Sequence, residues 1–261
     1  MHPSRPPLIA LQERGVEMVE ADLNDTSTLS KAVAGSHVVF GVTNIWDKGS
    51  HDVEVAQGKA IADAAVAAGA AQIIWSSLPS VTNMTRGEHT IKGFDSKAVV
   101  EAYIHTLKIK STFFMAGWFM KNHLGVMKAR KMDDGTYLLS QPWGPSTPLP
   151  LIDTRDTGKF LVLVLLNPDL YHTKRLSCAT AFSTSSEMVD VWSKVTGKTV
   201  RFEQAQHGAA EYKTLSEEER AATDPTRGFL RSMAIMGRLG RMIWLGPLSR
   251  WRRSLGVRRS L

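Results

Sequence analysis

The chain has 261 residues, 43% of them hydrophobic and 22% charged, with a single cysteine and a formal net charge of +7. That length suits one large α/β unit or a main domain with a smaller lobe, and the composition excludes a largely disordered chain, a disulfide framework and a membrane-spanning apolar run. The charge is concentrated: residues 227–261 hold nine arginines and no Asp or Glu, so the other 226 residues carry 23 basic against 25 acidic side chains, and the global charge is no argument for nucleic-acid binding.

Leu8-Ile9-Ala10-Leu11 is too short for the apolar core of a signal peptide. With one cysteine, this points to a soluble cytoplasmic protein in a reducing compartment. Val16 to Ala21 alternates apolar and polar residues and predicts a strand that ends at Asp22. Asp25 or Thr26 caps a helix over Leu29 to Ala34, which Gly35 stops. His37 to Val42 is a short apolar run, as expected of a buried parallel strand. Val53 to Ala68 is an alanine-rich helix ended by Gly69, and Gln72 to Ser77 is the next strand.

Residues 79–92 are polar and glycine-containing and read as a loop. A helix begins at Asp95 or Ser96 and runs through Leu107, Lys110 to Phe114 is a strand, and Phe119 to Lys128 begins another helix. Beyond lie strands at 135–139, 175–179 and 199–202, and helices at 157–166, 185–195 and 211–223. Strands alternating with helices of about ten to fifteen residues predict an α/β fold with a parallel, doubly wound sheet, followed by a smaller mixed lobe.

Open sheets of this kind bind ligands at the carboxyl ends of their strands. Asp22, Thr43-Asn44, Ser76-Ser77 and Ala116 to Asn122 are all predicted at such ends. Lys97 is predicted in the first turn of its helix, where the macrodipole disfavours a cation, so an anionic or hydroxylated ligand is a candidate partner; a solvated surface lysine is the plainer reading. The eight histidines include no i, i+4 pair, and no H-E-x-x-H, C-x-x-C or G-x-S-x-G occurs, so no metal site and no hydrolase nucleophile are expected. Cys178 reads as a small apolar strand residue, and Ser76-Ser77 as strand-end serines that satisfy backbone groups.

Together, Gly15 through Leu23, Val42-Thr43-Asn44-Ile45-Trp46, Gln57-Gly58-Lys59, Ser76-Ser77-Leu78-Pro79, Phe94-Asp95-Ser96-Lys97 and Gly117 through Asn122 resemble the NmrA-like family, atypical short-chain dehydrogenase/reductases. The resemblance covers roughly residues 8–205. It implies an NADP(H)-binding Rossmann domain, a small C-terminal lobe and a small-molecule substrate, a carbonyl or enone of fungal secondary metabolism. In the family, Asp22-Leu23 would flank the adenine, and Thr43-Asn44-Ile45 would run beside the ribose and phosphates. Lys97, the one residue assigned a catalytic role, would border the nicotinamide with Phe119 and Asn122.

The sequence also departs from the family. No G-x-G-x-x-G or G-x-x-G-x-x-G is present, so the expected architecture is a Rossmann-type sheet lacking its first βαβ unit. Position 45 is Ile where an aromatic is usual, Gly93 replaces a histidine, and the dehydrogenase Tyr-x-x-x-Lys is absent. The expected division is a partial nucleotide-binding domain at 1–132, a substrate lobe at 133–226 and a basic tail at 227–261. An amphipathic tail of that kind suits a membrane surface, an acidic partner or nucleic acid, but a solvated tail or a mispredicted exon is preferred. Besides the NADP-dependent oxidoreductase, two other readings stand. One is a non-catalytic NADP(H)-sensing regulator that binds a protein partner such as a transcription factor, and the other is a truncated, inactive remnant.

Overall fold

The computed structural model describes residues 6–48, 50–125, 127–141 and 143–205. In chain order these form α1 (Pro6–Gln12), α2 (Thr26–Val33), β1 (Val38–Gly41), α3 (Ile45–Lys48), α4 (His51–Ala67), β2 (Gln72–Ser76), α5 (Val81–Met84), α6 (Lys92–Ile104) and β3 (Lys110–Ala116). Next come β4 (Trp118–Phe119), a 3-10 turn (Met120–Leu124), β5 (Arg130–Lys131), β6 (Tyr137–Gln141), β7 (Leu149–Ile152), α7 (Thr157–Leu166), α8 (Pro168–Tyr171), β8 (Lys174–Cys178), β9 (Ala181–Ser183), α9 (Ser185–Thr196) and β10 (Val200–Gln204).

Local chemistry sets the helix ends. The Asp25 carboxylate accepts the Ser27 N–H and starts α2, and the Ser50 hydroxyl accepts the Val53 N–H and starts α4. At α9, Thr184 and Glu187 form a reciprocal capping box, and Gly197 ends the helix in the left-handed region at φ 67°.

The described residues fall into two compact units. The first runs up to Met84 and includes Lys92–Phe114 and Leu166–Arg175. Its sheet has the order β1-β2-β3-β8, with β1, β2 and β3 parallel in register Val39↔Ile73 and Ile73↔Ser111. The core gathers Ile61, Ala62 and Ala65 of α4, Val100 and Ile104 of α6, and Val39, Trp75 and Phe113 of the sheet. Gly58 makes this approach possible: a Cβ there would lie 2.6 Å from Val100 and 2.9 Å from the Trp75 ring. That contact explains a glycine in the middle of a helix, where it otherwise costs about 1 kcal/mol.

The second unit comprises Thr85–Ile91, Met115–Leu165 and the chain from Leu176. It holds two small sheets, β10-β6-β5 and β4-β7-β9. Its core is Met127, Trp143, Leu149, Leu151 and Met188, with Trp118, Met120 and Trp192 packed against it. At Gly117 a Cβ would lie 2.5 Å from the Pro150 carbonyl oxygen and 3.1 Å from that of Cys178. Both are backbone atoms that cannot rotate away, so Gly117→Ala is expected to destabilise the protein by about 1–3 kcal/mol. Thermal unfolding followed by circular dichroism checks this, and an unchanged melting temperature would contradict it.

The parallel α/β expectation holds, and four local expectations need correction. Val16–Ala21 is not a strand: no described strand pairs with it, and Val16 and Val19 are exposed. Asp22 therefore does not sit at a strand end. The stretch 79–92 contains the helical turn α5, and α6 begins at Lys92 rather than Asp95. The helix expected from Phe119 is a 3-10 turn that stops at Gly125. The helix at 211–223 and the basic tail at 227–261 lie outside the described residues.

Cys178 is buried at the end of β8, and burial pushes its thiol up to about 12, as an inert core residue requires. Among the described residues, no group of three or more His, Cys, Asp or Glu side chains is placed to hold a metal. No described helix is long and apolar enough to cross a membrane.

Candidate functional site

Thr43-Asn44-Ile45 lies one residue beyond β1 and Ser77 follows β2, so the first unit carries both at the carboxyl end of its parallel strands. Thr43 is buried, and its hydroxyl donates to Glu54 Oε1 at 2.8 Å. Lys97 reaches the same point from α6. Its Nζ donates to the Thr43 carbonyl at 2.9 Å and to the Thr43 hydroxyl at 3.1 Å, and lies 3.3 Å from Glu54 Oε1. Ser96 donates its hydroxyl to Glu54 Oε2. The Lys97 ammonium also sits 5.5 Å from the centre of the Trp75 ring, whose Nε1 donates to the Lys97 carbonyl.

Lys97 is thus neither a first-turn residue nor a solvated one. It is the sixth residue of α6, with a side chain 12% exposed beside a Glu54 side chain 1% exposed. Burial holds the ammonium below the usual lysine range, and the charge of Glu54 and its hydrogen bond oppose that shift. The compensation for which a ligand was a candidate is supplied by the protein itself. The ammonium donates twice to Thr43 and is paired with Glu54.

Asn44 is exposed, and its side-chain oxygen accepts the Trp46 N–H at 3.2 Å, opening α3. A Cβ at Gly93 would stand 3.0 Å from the Ile45 side chain. The two departures from the family pattern, Ile45 and Gly93, are therefore one packing pair. Asp22 accepts the backbone N–H and the side-chain amide of Asn24, and Asn24 accepts from Gln57 of α4 at 3.1 Å. Leu23 packs against the core. The Asp22-Leu23 turn is thus fixed to α4 without a strand beneath it.

Ser77 is buried and bonded to Glu101, which also accepts from Arg175 Nε at 2.5 Å. That hydroxyl is structural, as its place at a strand end suggested. Asp95 accepts from Ser80 and from the Thr82 N–H and hydroxyl, which ties α5 to α6.

In the second unit, Phe119 ends β4 and is 37% exposed, and Asn122 lies in the following 3-10 turn. The next residue, His123, was not singled out from the sequence. Its Nε2 accepts from Trp118 Nε1 at 3.3 Å, its Nδ1 is buried, and its ring meets Trp192 edge-on at 5.1 Å. Burial holds the imidazole below the usual histidine range, so the fold favours the neutral ring. The unfolded chain takes up a proton near pH 6.5, so this contribution to stability is full above that pH and declines as pH falls below it. Urea midpoints should therefore drop between pH 7.5 and pH 5.0, and His123→Gln should flatten the drop. Equal slopes for the two proteins would contradict this.

Sequence reasoning also missed Glu54 and Glu101, and it named Ser96 only as a helix start and as part of a motif. Glu54 did leave a signal. It shares the buried face of α4 with Gln57, Gly58, Ile61, Ala62 and Ala65, at helical spacing.

The model of the NmrA-like family matches residues 3–222. The chain belongs to the NmrA-like family. An NmrA-like family domain-containing oxidoreductase of Aspergillus campestris is 33% identical over 211 residues, which cover 74% of this chain and 62% of that protein. A second, from Penicillium ochrochloron, is 27% identical over 76% of this chain and 65% of its own length. The chain thus spans under two thirds of the length of these curated relatives. Among solved structures, that of NmrA, a negative transcriptional regulator, superimposes with a TM-score of 0.78 at 20% identity, covering 99% of this chain and 83% of that one. At this identity the likeness establishes the NmrA fold.

Proposed function

We propose that this NmrA-like chain is an NADP(H)-dependent oxidoreductase acting on a small carbonyl or enone in secondary metabolism. The observation that carries the reading is the Thr43-Asn44-Ile45 segment at the carboxyl end of β1, held in place by Lys97 and Glu54. Support comes from relatives described as oxidoreductases. It also comes from neighbours of the same fold: NmrA itself in complex with NADP, at a TM-score of 0.69 and 21% identity, and a Citrobacter triphenylmethane reductase complexed with NADP(H), at 0.64 and 18%.

The described residues fit one half of that cofactor. Asn44 offers an exposed amide beside a fixed backbone turn, which suits a ribose hydroxyl. No glycine-rich turn follows a described strand, so the proposal assigns no residue to the phosphates. Asp22 and Leu23 are assigned to the adenine and Thr43, Asn44 and Ile45 to the ribose, all on the first unit. Lys97 holds the Thr43 end of that segment. By the family resemblance, Phe119 and Asn122 are assigned to the nicotinamide end. When bound, the nicotinamide supplies the hydride.

A second reading, a non-catalytic NADP(H) sensor, is favoured by one observation: Lys97 is already bonded twice to Thr43 and paired with Glu54 within the protein. The two separate cleanly. Titrating the full-length chain into NADPH while following the nicotinamide fluorescence is expected to show saturable binding, and an absence of binding rejects both readings. Oxidation of NADPH by any member of a carbonyl and enone panel then selects the oxidoreductase, and binding without turnover selects the sensor.

A further inference from the structure

We propose that Glu54 is the positioning residue of this site: its carboxylate supplies the counter-charge that keeps the Lys97 ammonium charged and aimed at the Thr43 carbonyl. The inference rests on the reading of Thr43-Asn44-Ile45 as a cofactor segment, and it gives that segment a device that holds its shape.

Glu54 lies in the first turn of α4, where the helix dipole favours a carboxylate. Both of its oxygens are used. Oε1 takes the Thr43 hydroxyl at 2.8 Å and faces Lys97 Nζ at 3.3 Å, and Oε2 takes the Ser96 hydroxyl. One carboxylate therefore joins α4, the end of β1 and α6. Among the described residues, the groups shown against the Lys97 ammonium are Thr43 beyond β1, the Trp75 ring from β2 and Glu54 from α4, and of these only Glu54 carries charge.

A charged lysine has three donors, which match the Thr43 carbonyl, the Thr43 hydroxyl and the Glu54 carboxylate. A neutral amine has two donors and a lone pair. Removing the proton leaves two donors for three acceptors, two of which belong to Thr43, and takes away the charge that draws the amine toward Glu54. The hold on the backbone that presents Asn44 and Ile45 would weaken. Glu54 thus acts on the cofactor segment through the charge of Lys97, without touching a ligand.

The test is acetylation by an N-hydroxysuccinimide ester on the full-length chain from pH 7 to pH 10, read by peptide mass spectrometry. The ratio of Lys97 to the exposed Lys92 cancels reagent decay. In Glu54→Gln the Lys97 curve is expected to move to lower pH, raising its relative labelling at pH 8 about tenfold. Ser96→Ala, which removes a hydrogen bond but keeps the charge, is expected to leave the curve in place. A Glu54→Gln curve that does not move, or one raised by the same factor at every pH, overturns the proposal, because the latter reports opening of the structure. NADPH binding is measured on the same samples. If the wild-type chain binds none, the proposed function falls and the labelling still decides the role of Glu54. If it binds, Glu54→Gln should weaken binding more at pH 9 than at pH 7, and a loss equal at both pH values counts against the proposal.

Discussion

Trp75→Ala is expected to destabilise the first unit by about 4 kcal/mol. The side chain is fully buried at the centre of the core. An added Cβ at Gly41 would lie 3.0 Å from its ring and one at Gly58 2.9 Å, so both glycines exist to admit the indole. Alanine would leave a cavity between the sheet and α4 that neither glycine can fill. The Lys97 carbonyl would also lose the indole N–H that it accepts at 3.1 Å, and the Lys97 ammonium would lose the ring face 5.5 Å away. Trp75→Phe should cost roughly half as much, since it keeps most of the volume and loses the hydrogen bond. Equilibrium urea unfolding measures both, and a loss below about 1 kcal/mol for alanine would mean that the core collapses onto the cavity.

Much of this architecture was legible because its signals are local. Asp25 and Gly35 bracket α2, Gly69 ends α4, and the apolar run of β2 leaves little choice but burial, whereas the run expected to bury β1 leaves Phe40 exposed. The errors arise where structure depends on something distant. Val16 to Ala21 alternates as a strand does, but alternation describes a chain facing two environments, and a strand also needs a partner. Leu149–Ile152 gave no strand signal because Pro150 reads as loop, yet all four residues are buried as β7. At the site, Lys97 stood out by its place in a motif, whereas Glu54 did not. Thr43 and Lys97 are 54 positions apart, and Ser96 and Glu54 are 42 apart. No periodicity links such pairs. Only the packing of α4 against α6 brings a carboxylate beside the lysine, which the sequence alone leaves as a solvated side chain or the partner of a ligand.

Lys97→Met is expected to cost about 3 kcal/mol, because it leaves the Glu54 carboxylate buried with two hydroxyl donors and no cation. Methionine matches the aliphatic length of lysine, so little of the loss comes from packing. Adding Glu54→Gln to that variant should recover about 2 kcal/mol, since a neutral pair needs no counter-charge. Urea unfolding of the four proteins closes the cycle, and additive losses would show that the two groups do not interact. The same four proteins divide structure from function. The neutral pair fills the space, but methionine has no donor for the Thr43 carbonyl and no charge at the end of β1. If it regains stability and still binds NADPH less tightly than wild type, the ammonium serves binding, through its hold on Thr43 or its charge, as well as the fold. If it regains both, the charged pair is a structural lock, and the sensor reading gains over the oxidoreductase.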